Sequence, residues 1–477
     1  MKKRLLVFFL ALFTIQAMAQ NRTITGTVTD ADADAPLPGV SILVKGTNTG
    51  TITDIDGNYS VDVSSSSAVL VFSYLGYGKI ERAVGNNSEL NVALEAEESA
   101  LSEVVVTAFG LEREKKALTY TVQDVSTEEI TQARELNVMN SLSGKVAGLS
   151  INRSGSGVGG STRVVLRGNR SISGDSQPLY IVDGVPAKGI ETLNPDDIAS
   201  INVLKGPNAA ALYGSRANNG AIVVTTKRGS ADGFKVSLNT SYMFDNPLIL
   251  TNYQNVYGQG SNGNYSPTSE FSWGPKMDGS SVAFWSPDPN SNIDSYEFSP
   301  QPNNIKDFYQ TGHNLATTLA ISGGNEKNQT YFSYTYTDAA GVVPNNELGR
   351  HSINLRITNK LTDKLTLDSK INYIRQDINN QLAQGENYAN PTRHIVRLPR
   401  NIRTEDISNF EYIDASGAAK QNYFNPGSNG GANPYWPLNR NLSKDTFDRI
   451  IAFTSANYEI SEGFTVMARA SLDRTFG

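Results

Sequence analysis

From residue 234 onward, apolar and polar side chains alternate along about seven segments of roughly ten residues each. In the first segment, alternate positions carry Phe234, Val236, Leu238, Tyr242 and Phe244, and the positions between them carry Lys235, Ser237, Asn239 and Ser241. The other segments are 315–321, 330–336, 353–358, 365–373, 450–458 and 464–472. A period of two predicts β-strands with one apolar and one polar face. Roughly ten residues is the length that a tilted membrane-spanning strand needs.

The connections between these segments alternate in length. Short connections span 323–327, 362–363 and 460–463, and long ones span 244–313, 338–350 and 376–447. Short turns at one end and long loops at the other are typical of a transmembrane β-barrel. The alternative is a soluble β-sandwich, whose strands are usually shorter and whose long loops would not all fall on one side.

The long loops are rich in aromatic side chains. They include Tyr253, Tyr257, Tyr265, Trp273, Trp285, Tyr423, Tyr435 and Trp436. Flat rings with an apolar body and a polar edge suit sugars or peptides, but they also pack on one another.

The chain begins with the pattern of a secretory signal peptide over residues 1–19. Lys2-Lys3-Arg4 precedes the apolar run Leu5–Ile15, and Ala17-Met18-Ala19 predicts cleavage between Ala19 and Gln20. The alternative is a membrane helix, but the apolar run is far shorter than the ~20 residues that a helical span requires.

Residues 20–96 predict a small β-sandwich. Strands are expected at 23–29, 40–44, 59–63, 68–74 and 89–94, with a hairpin-type turn at 54–58. Asp30, Asp32 and Asp34 imitate the start of a calcium-binding EF-hand loop, but Ala35 stands where that loop needs Gly and Ser41 where it needs Glu. We therefore favour a solvated acidic turn over a calcium site.

Residues 117–230 predict a small α+β unit without a reactive centre. Strands are expected at 162–166, 179–182, 198–204 and 221–226, a turn at Asp183-Gly184, a helix start at 194–197, an Ala-rich turn at 209–213 and a helix over 138–146. The loop 152–161 is Gly-rich but lacks G-K-[ST], so it is not a phosphate-binding P-loop.

Two stretches of this unit, "PLYIVDGVP" and "DIASINVLKGPNAAALYGSRANNGAIVVTTK", resemble the plug domain of TonB-dependent outer-membrane transporters, in particular those of the SusC/RagA family. The hallmark positions are Tyr180, Asp183, Gly184, Pro186, Lys205, Gly206, Tyr213, Gly214 and Gly220. The sequence departs from the family at Gly206-Pro207-Asn208, where members often carry an acidic, small-residue run. The stretch "GTVTDADADAPLPGVSILVKGTNTGTITDIDGNYSV" resembles the carboxypeptidase-regulatory-like domain of the same proteins, which has no peptidase chemistry.

The linker 97–116 contains "EVVVTAFG", which resembles the TonB-box region of the family. Its residues are Glu103, Val104, Val105, Val106, Thr107, Ala108, Phe109 and Gly110. A TonB box is captured by a periplasmic protein that adds a strand beside it, which requires β-branched residues and a free edge. The alternative is an ordinary inter-domain strand.

Plug loops of the family face the barrel lumen, so Arg163, Arg167 and Arg170 are candidate substrate contacts. The alternative is that they pair with the barrel wall, which we favour because charges in a channel usually need partners.

The composition and motifs of the chain argue against several kinds of partner and site. The net charge of −6 disfavours nucleic acid as a partner, and the absence of Cys excludes disulfides and thiolate metal sites. His313, His351 and His394 lack metal-ligand spacing, and the sequence has neither a G-x-S-x-G elbow nor a Cys nucleophile. We therefore expect no enzyme, no cofactor and no metal.

The sequence thus predicts a mainly β protein with a carboxypeptidase-regulatory-like β-sandwich, an α+β plug domain and an incomplete transmembrane antiparallel β-barrel over 231–477. Because plugged transporters of this type close with about 22 strands, we expect the N-terminal fragment of a protein about twice as long. The resemblance implies TonB-dependent import of oligosaccharides or peptides across the outer membrane, with TonB and a SusD-like surface lipoprotein as partners. A receptor that signals without importing and a β-modular adhesin are the alternatives.

Overall fold

The computed structural model describes residues 22–31, 33–47, 49–74, 77–95, 104–106, 112–114, 122–132, 134–155, 157–169, 176–231, 233–426, 431–461 and 463–477. The predicted signal peptide, its cleavage site at Ala19–Gln20, and Glu103 and Thr107–Gly110 of the predicted TonB box lie outside these ranges. No helix in the described ranges is long and apolar enough to cross a membrane. Contacts divide the chain into two compact units, and the boundary in the sequence falls between residues 104 and 118.

The first unit is a β-sandwich. Its strands are β1 (Arg22–Asp30), β2 (Ser41–Val44), β3 (Gly50–Ile52), β4 (Asn58–Val63), β5 (Val69–Ser73), β6 (Ile80–Ala83) and β7 (Val92–Leu94). They form two sheets, ordered β4-β1-β7 and β3-β2-β5-β6. Every second residue of β4 is buried, so Tyr59, Val61 and Val63 enter a core that both sheets share. The period-two pattern found five of these strands and missed β3 and β6, in which no residue is buried.

The turns of this unit differ from expectation in one respect. Residues 54–58 do not form a hairpin, because β3 and β4 belong to different sheets. The Asp54 carboxylate instead accepts hydrogen bonds from the amides of Asp56 (3.0 Å) and Asn58 (2.8 Å), which turns the chain from one sheet to the other. In the acidic turn, Asp30 accepts from the Ala33 amide (2.9 Å) and from the Tyr77 hydroxyl (2.6 Å), while Asp32 lies outside the described residues.

Between the two units, β8 (Val104–Val106) pairs with β9 (Glu112–Glu114) in a two-stranded sheet. The predicted strand at the three valines is therefore extended. Among the described residues, the second edge of each strand has no partner strand.

The second unit contains an inner domain, residues 122–231, and a strand wall. The inner domain comprises β10 (Val122–Ser126), α1 (Thr127–Thr131), β11 (Leu149–Arg153), β12 (Thr162–Leu166), β13 (Leu179–Val182), β14 (Val185–Ala187), β15 (Ile198–Leu204), α2 (Pro207–Tyr213) and β16 (Ala221–Thr226). Its five-stranded sheet has the order β10-β15-β16-β13-β14, and β11 and β12 form a separate hairpin. Because β15 and β16 are central, their residues are buried on both faces.

The helix predicted over residues 138–146 is wrong. Only Asn140–Leu142 forms a 3-10 turn, since the Asn137 side chain accepts from the Met139 amide (3.0 Å) and Gly144 adopts φ 75°. Val138 and Leu142 are buried in the domain core, so their spacing reflected burial rather than a helix. Residues 209–213, predicted as a turn, belong to helix α2, and the predicted helix start at Asn194 is a 3-10 turn over Pro195–Asp197.

The strand wall is a seven-stranded antiparallel sheet in which each strand pairs with its neighbours in sequence. Its strands are β17 (Lys235–Asp245), β22 (Gly312–Gly324), β23 (Asn328–Ala340), β24 (Glu347–Lys360), β25 (Leu365–Asn379), β28 (Lys444–Ser461) and β29 (Phe464–Phe476). All seven predicted strands are confirmed. The loop predicted as long over 338–350 is only 341–346, because β23 and β24 continue beyond their apolar segments.

Burial in the wall is the inverse of that in a soluble sheet. Along β24, Ile353 is 39% exposed, whereas Asn354 is 0% exposed and Arg356 is 2% exposed. Most apolar side chains point away from the inner domain and most polar ones are buried against it, although Ile374 and Ile451 enter the core of that domain. This is the arrangement of strands with one face toward lipid.

The two long loops fold together at one end of the wall. They contain β18 (Gly260–Ser261), β19 (Asn264–Tyr265), β20 (Ser281–Ala283), β21 (Ser295–Glu297), α3 (Pro391–Ile395), α4 (Thr404–Ser408), β26 (Glu411–Ile413), β27 (Ala419–Gln421) and α5 (Tyr435–Arg440). Trp285, Tyr423 and Leu438 are buried in a core shared by both loops. Trp285 and Tyr423 therefore pack within the loops, which was the alternative to a role in binding sugars or peptides. Trp273, in contrast, is 71% exposed.

Candidate functional site

The inner domain meets the wall at a two-residue turn. Asp183 (φ 48°) and Gly184 (φ 81°) join β13 and β14, and both residues adopt the positive φ that such a hairpin turn requires. The Asp183 side chain is 3% exposed. It accepts hydrogen bonds from the Thr226 amide (2.9 Å) and the Thr226 hydroxyl (2.7 Å) on β16. Hydrogen bonds within the inner domain therefore orient the carboxylate independently of its contacts with the wall.

Three cations of the wall converge on this turn. Lys370 Nζ lies 2.7 Å from Asp183 Oδ2, and Arg356 Nη1 lies 3.2 Å from Asp183 Oδ1. Arg356 also binds Asp368 through Nε (3.1 Å) and Nη2 (2.7 Å), and Arg469 donates to the Asp183 carbonyl (2.9 Å). We call Asp183, Arg356, Asp368, Lys370 and Arg469 the Asp183 cluster.

The charges of the Asp183 cluster do not balance. Two carboxylates face three cations, which leaves one positive charge in excess. Burial alone would raise the pKa of Asp183, but the adjacent charges of Lys370 and Arg356 and the hydrogen bonds outweigh it and hold the pKa well below its ordinary value. Asp183 is thus ionised, and its negative charge partly neutralises the cations that surround it.

A second contact is built on the 3-10 turn at Pro195–Asp197. Asp197 accepts from the hydroxyls of Tyr331 (2.9 Å) and Ser333 (2.5 Å), both on β23. No cation pairs with Asp197 among the described residues, and burial raises its pKa despite these hydrogen bonds. Asp196 accepts from Thr318 on β22 (2.8 Å) and pairs with Arg134 of the inner domain (2.9 Å).

A third contact lies at the last strand of the wall. Arg449 binds Asp473 through Nε (2.9 Å) and Nη2 (2.8 Å), and it also donates to the Gly189 carbonyl (2.9 Å) and the Thr192 hydroxyl (3.1 Å). Asp473 in turn accepts from the Lys188 amide (3.0 Å). The inner domain is therefore held to the wall by polar contacts at three places: the Asp183 turn, the 3-10 turn and residues 188–192.

The wall pairing favoured for the arginines of the inner domain stays a prediction. Arg163 is exposed and donates to Asn169 (2.8 Å), and Arg167 is exposed just after β12. Within the described ranges, no ion pair joins either arginine to a wall strand. Arg170 lies outside the described residues.

Among the hallmark residues, Asp183 is the one whose side chain forms ion pairs with the wall in the described part of the chain. Gly184 completes the turn, Tyr180 and Pro186 lie in its two strands, and Lys205 donates to Gln123 within the inner domain (3.2 Å). Gly206, Gly214 and Gly220 have positive φ, and Tyr213 packs against an apolar cluster of the inner domain. The sequence missed Arg356, Asp368 and Lys370, although charges at inward positions of the alternating segments were a readable signal.

The connection from the inner domain to the wall passes very close to β23. A Cβ atom added to Gly229 would lie 2.4 Å from the Thr330 amide nitrogen and 2.7 Å from its carbonyl oxygen, so the backbones must shift apart. We expect Gly229→Ala to lower the free energy of unfolding by about 1–3 kcal/mol, measured by denaturant titration. Gly155→Ala is the matched control, because a Cβ added there meets nothing within 4 Å. Equal effects of the two substitutions would contradict this close contact.

Two family models match the sequence of the chain. The CarboxypepD_reg-like domain matches residues 24–106, and the TonB-dependent Receptor Plug Domain matches residues 114–221. The TonB-dependent receptor P3 of Formosa agariphila is 33% identical over 357 residues, which is 74% of this chain and 32% of that protein. The TonB-dependent receptor SusC of Bacteroides thetaiotaomicron is 29% identical over 398 residues, 81% of this chain and 36% of that protein.

Among solved structures, the RagAB peptide importer in its open-open state matches with a TM-score of 0.61 and 22% identity, covering 78% of this chain and 42% of that one. The chain is a SusC/RagA-like TonB-dependent receptor sequence. It spans about a third of the length of the curated relatives it matches.

The SusC/RagA-like identification agrees with the architecture described above. The fold is mainly β, with a carboxypeptidase-regulatory-like domain, a plug and part of a TonB-dependent barrel, as the sequence predicted. The inner domain is the SusC/RagA-like plug, and the Asp183 cluster lies where this plug meets the barrel strands.

Proposed function

We propose that the chain forms the gating part of a TonB-dependent outer-membrane transporter that imports nutrient oligomers, either oligosaccharides or peptides. The observation that carries this proposal is the burial pattern of the wall. Its apolar side chains face outward, and its buried polar side chains hold a folded domain. A permanent core is mostly apolar. A polar interface suits a domain that must detach, because the groups that separate can be hydrated.

The energy for detachment would come through the box region, Glu103–Gly110. The outer membrane has no ATP, so work must arrive mechanically from the periplasmic side. The free edge of β8 offers a strand to which TonB can add its own. A pulling force on the box would act on the contacts of the Asp183 cluster. Its ion pairs would then separate one after another as water hydrates the charged groups.

The remaining parts of the proposal follow from the resemblance. Residues 1–19 direct export, the apolar face of the wall lies in the outer membrane as a multi-pass β-barrel, and a SusD-like lipoprotein covers the loop side. SusC and RagAB relatives support these partners. Arg163 and Arg167, both exposed, and Arg170 are proposed to contact the substrate, and the nine hallmark positions are proposed to shape the plug.

Uptake in cells tests the proposed function. Cells expressing the protein should accumulate fluorescent maltoheptaose or a fluorescent peptide, and accumulation should stop when the proton gradient is collapsed. Accumulation of neither probe, or accumulation that persists without the gradient, would contradict energy-dependent import. A transcriptional response to either probe without uptake would favour the signalling receptor instead.

A further inference from the structure

A cavity of about 560 Å³ separates the Gly-rich loop of the inner domain from the loop end of the wall. Gly157 and Gly159 approach the wall at Asn346 and Ile378, and the Val158 amide donates to the Asn346 side chain (2.8 Å). The volume is within the range of small-molecule sites in proteins. Under the proposed function, this cavity lies on the side from which substrate arrives.

Arg350 on β24 lines this cavity and is only 7% exposed. Its Nε donates to Gln376 (2.7 Å) and its Nη1 to the Leu136 carbonyl (3.0 Å). A guanidinium has five N–H donors, so hydrogen atoms on Nη1 and Nη2 are left for a ligand.

Arg350 differs from the other deeply buried arginines of the second unit. Arg356 and Arg449 each bind a carboxylate through two nitrogens, and Arg400 is surrounded by carbonyl and amide oxygens of the loops. Among the described residues, no carboxylate forms an ion pair with Arg350. Glu191 also lines the cavity, but no ion pair joins it to Arg350 in the described part of the chain. A buried guanidinium without a carboxylate is costly unless a ligand supplies one.

Two exposed residues of the cavity lining carry the opposite charge. Asp245 at the end of β17 and Asp445 at the start of β28 both line the cavity and are exposed, and neither forms an ion pair in the described part of the chain. Glu135 is instead neutralised by Arg153 (2.6 Å). The cavity lining therefore combines a buried positive group, Arg350, with two exposed negative groups, Asp245 and Asp445.

We propose that this cavity binds a peptide end-on, with the C-terminal carboxylate on Arg350 and an ammonium group toward Asp245 and Asp445. This inference rests on the proposed function and names the substrate class at the same site. A planar carboxylate matches the guanidinium fork, and the neighbouring Gln376 holds that fork in position. A neutral oligosaccharide would leave both charged groups without a partner.

Calorimetric titration of the purified protein in detergent with tetra-alanine tests the inference. Arg350→Gln should weaken binding by about tenfold to a hundredfold, the effect of losing a charge-assisted hydrogen-bonded pair. Amidating the peptide C-terminus should weaken binding to the native protein by a similar factor and should have little effect on the Arg350→Gln variant. Arg350→Lys should fall between the two. The control is Arg375→Gln, one strand away with its side chain 49% exposed on the outer face, which should bind tetra-alanine normally.

Three outcomes would overturn the inference. These are amidation without effect on the native protein, equal binding by Arg350→Gln and native protein when both show the same unfolding temperature, and binding of maltotetraose or tetragalacturonate in preference to tetra-alanine. If energy-dependent uptake of maltoheptaose continues in any of these cases, the proposed function stands and only the peptide assignment fails.

Discussion

Asp183→Asn is expected to lower the free energy of unfolding of the second unit by about 3–5 kcal/mol, the usual cost of removing one partner from a buried ion pair. The substitution preserves shape but removes a buried charge on which Lys370 and Arg356 converge. The positive excess of the Asp183 cluster would rise from one charge to two. Denaturant unfolding and the protease half-life of the inner domain measure the effect.

Two variants serve as controls for this prediction. Lys370→Met removes a charge from the same cluster but brings its sum to zero, so it should cost less than Asp183→Asn. Asp197→Asn makes the same chemical change at another buried carboxyl of the same domain, but one whose pKa is raised, so it should be neutral or stabilising at pH 7. If Asp183→Asn and Asp197→Asn have equal effects, the charge of the Asp183 cluster does not hold the domain.

The two carboxyls also predict opposite pH dependence. Because the pKa of Asp183 is lowered on folding, its contribution to stability is present above the unfolded value of 3.8 and is lost as pH falls through the folded pKa. Because the pKa of Asp197 is raised, its contribution is present below 3.8 and is lost as pH rises through the folded pKa. Difference titrations of each Asn variant against the native protein should therefore have slopes of opposite sign.

Deleting Glu103–Gly110 is expected to reduce energy-dependent uptake to background while substrate binding at the cell surface is retained. The expected loss is complete because no other route for mechanical work is proposed. Radiolabelled or fluorescent substrate, measured separately for binding on ice and for uptake at growth temperature, distinguishes the two steps.

Substitutions within β8 test whether strand addition is the mechanism. Adjacent residues of a strand direct their amides to opposite edges, so replacing Val104 and Val105 together by proline removes a donor from each edge and should abolish uptake. Replacing both by threonine keeps β-branched residues and both donors, so uptake should persist. Normal uptake by the proline variant would show that this segment is an ordinary inter-domain strand.

The strands of the wall were predictable because the alternation of apolar and polar residues is local and repeats over many residues. The extent of β23 and β24 was not, since Leu348 and Ala339 are buried against the inner domain rather than facing outward. Val138 and Leu142 were misassigned to a helix because burial in an irregular segment gives the same spacing. In each case the error came from tertiary contacts.

The site was partly predictable. Asp183 was singled out by its turn and by resemblance, but its partners Arg356 and Lys370 lie more than 170 residues further along the chain. No local pattern connects them. Their position on the inward face of alternating strands was visible, and a polar face that must meet a folded domain requires complementary charges.

The central claim is that alternate residues of the wall face lipid while the residues between them hold the inner domain. The chain has no Cys, so single cysteines can be spin-labelled without background. In liposomes, labels at Ile353, Leu355 and Ile357 should collide freely with dissolved oxygen, and labels at Ser352 and Asn354 should be shielded from both oxygen and a water-soluble nickel chelate. Labels at 353, 355 and 357 that are shielded from oxygen, with those at 352 and 354 open to the chelate, would contradict the account.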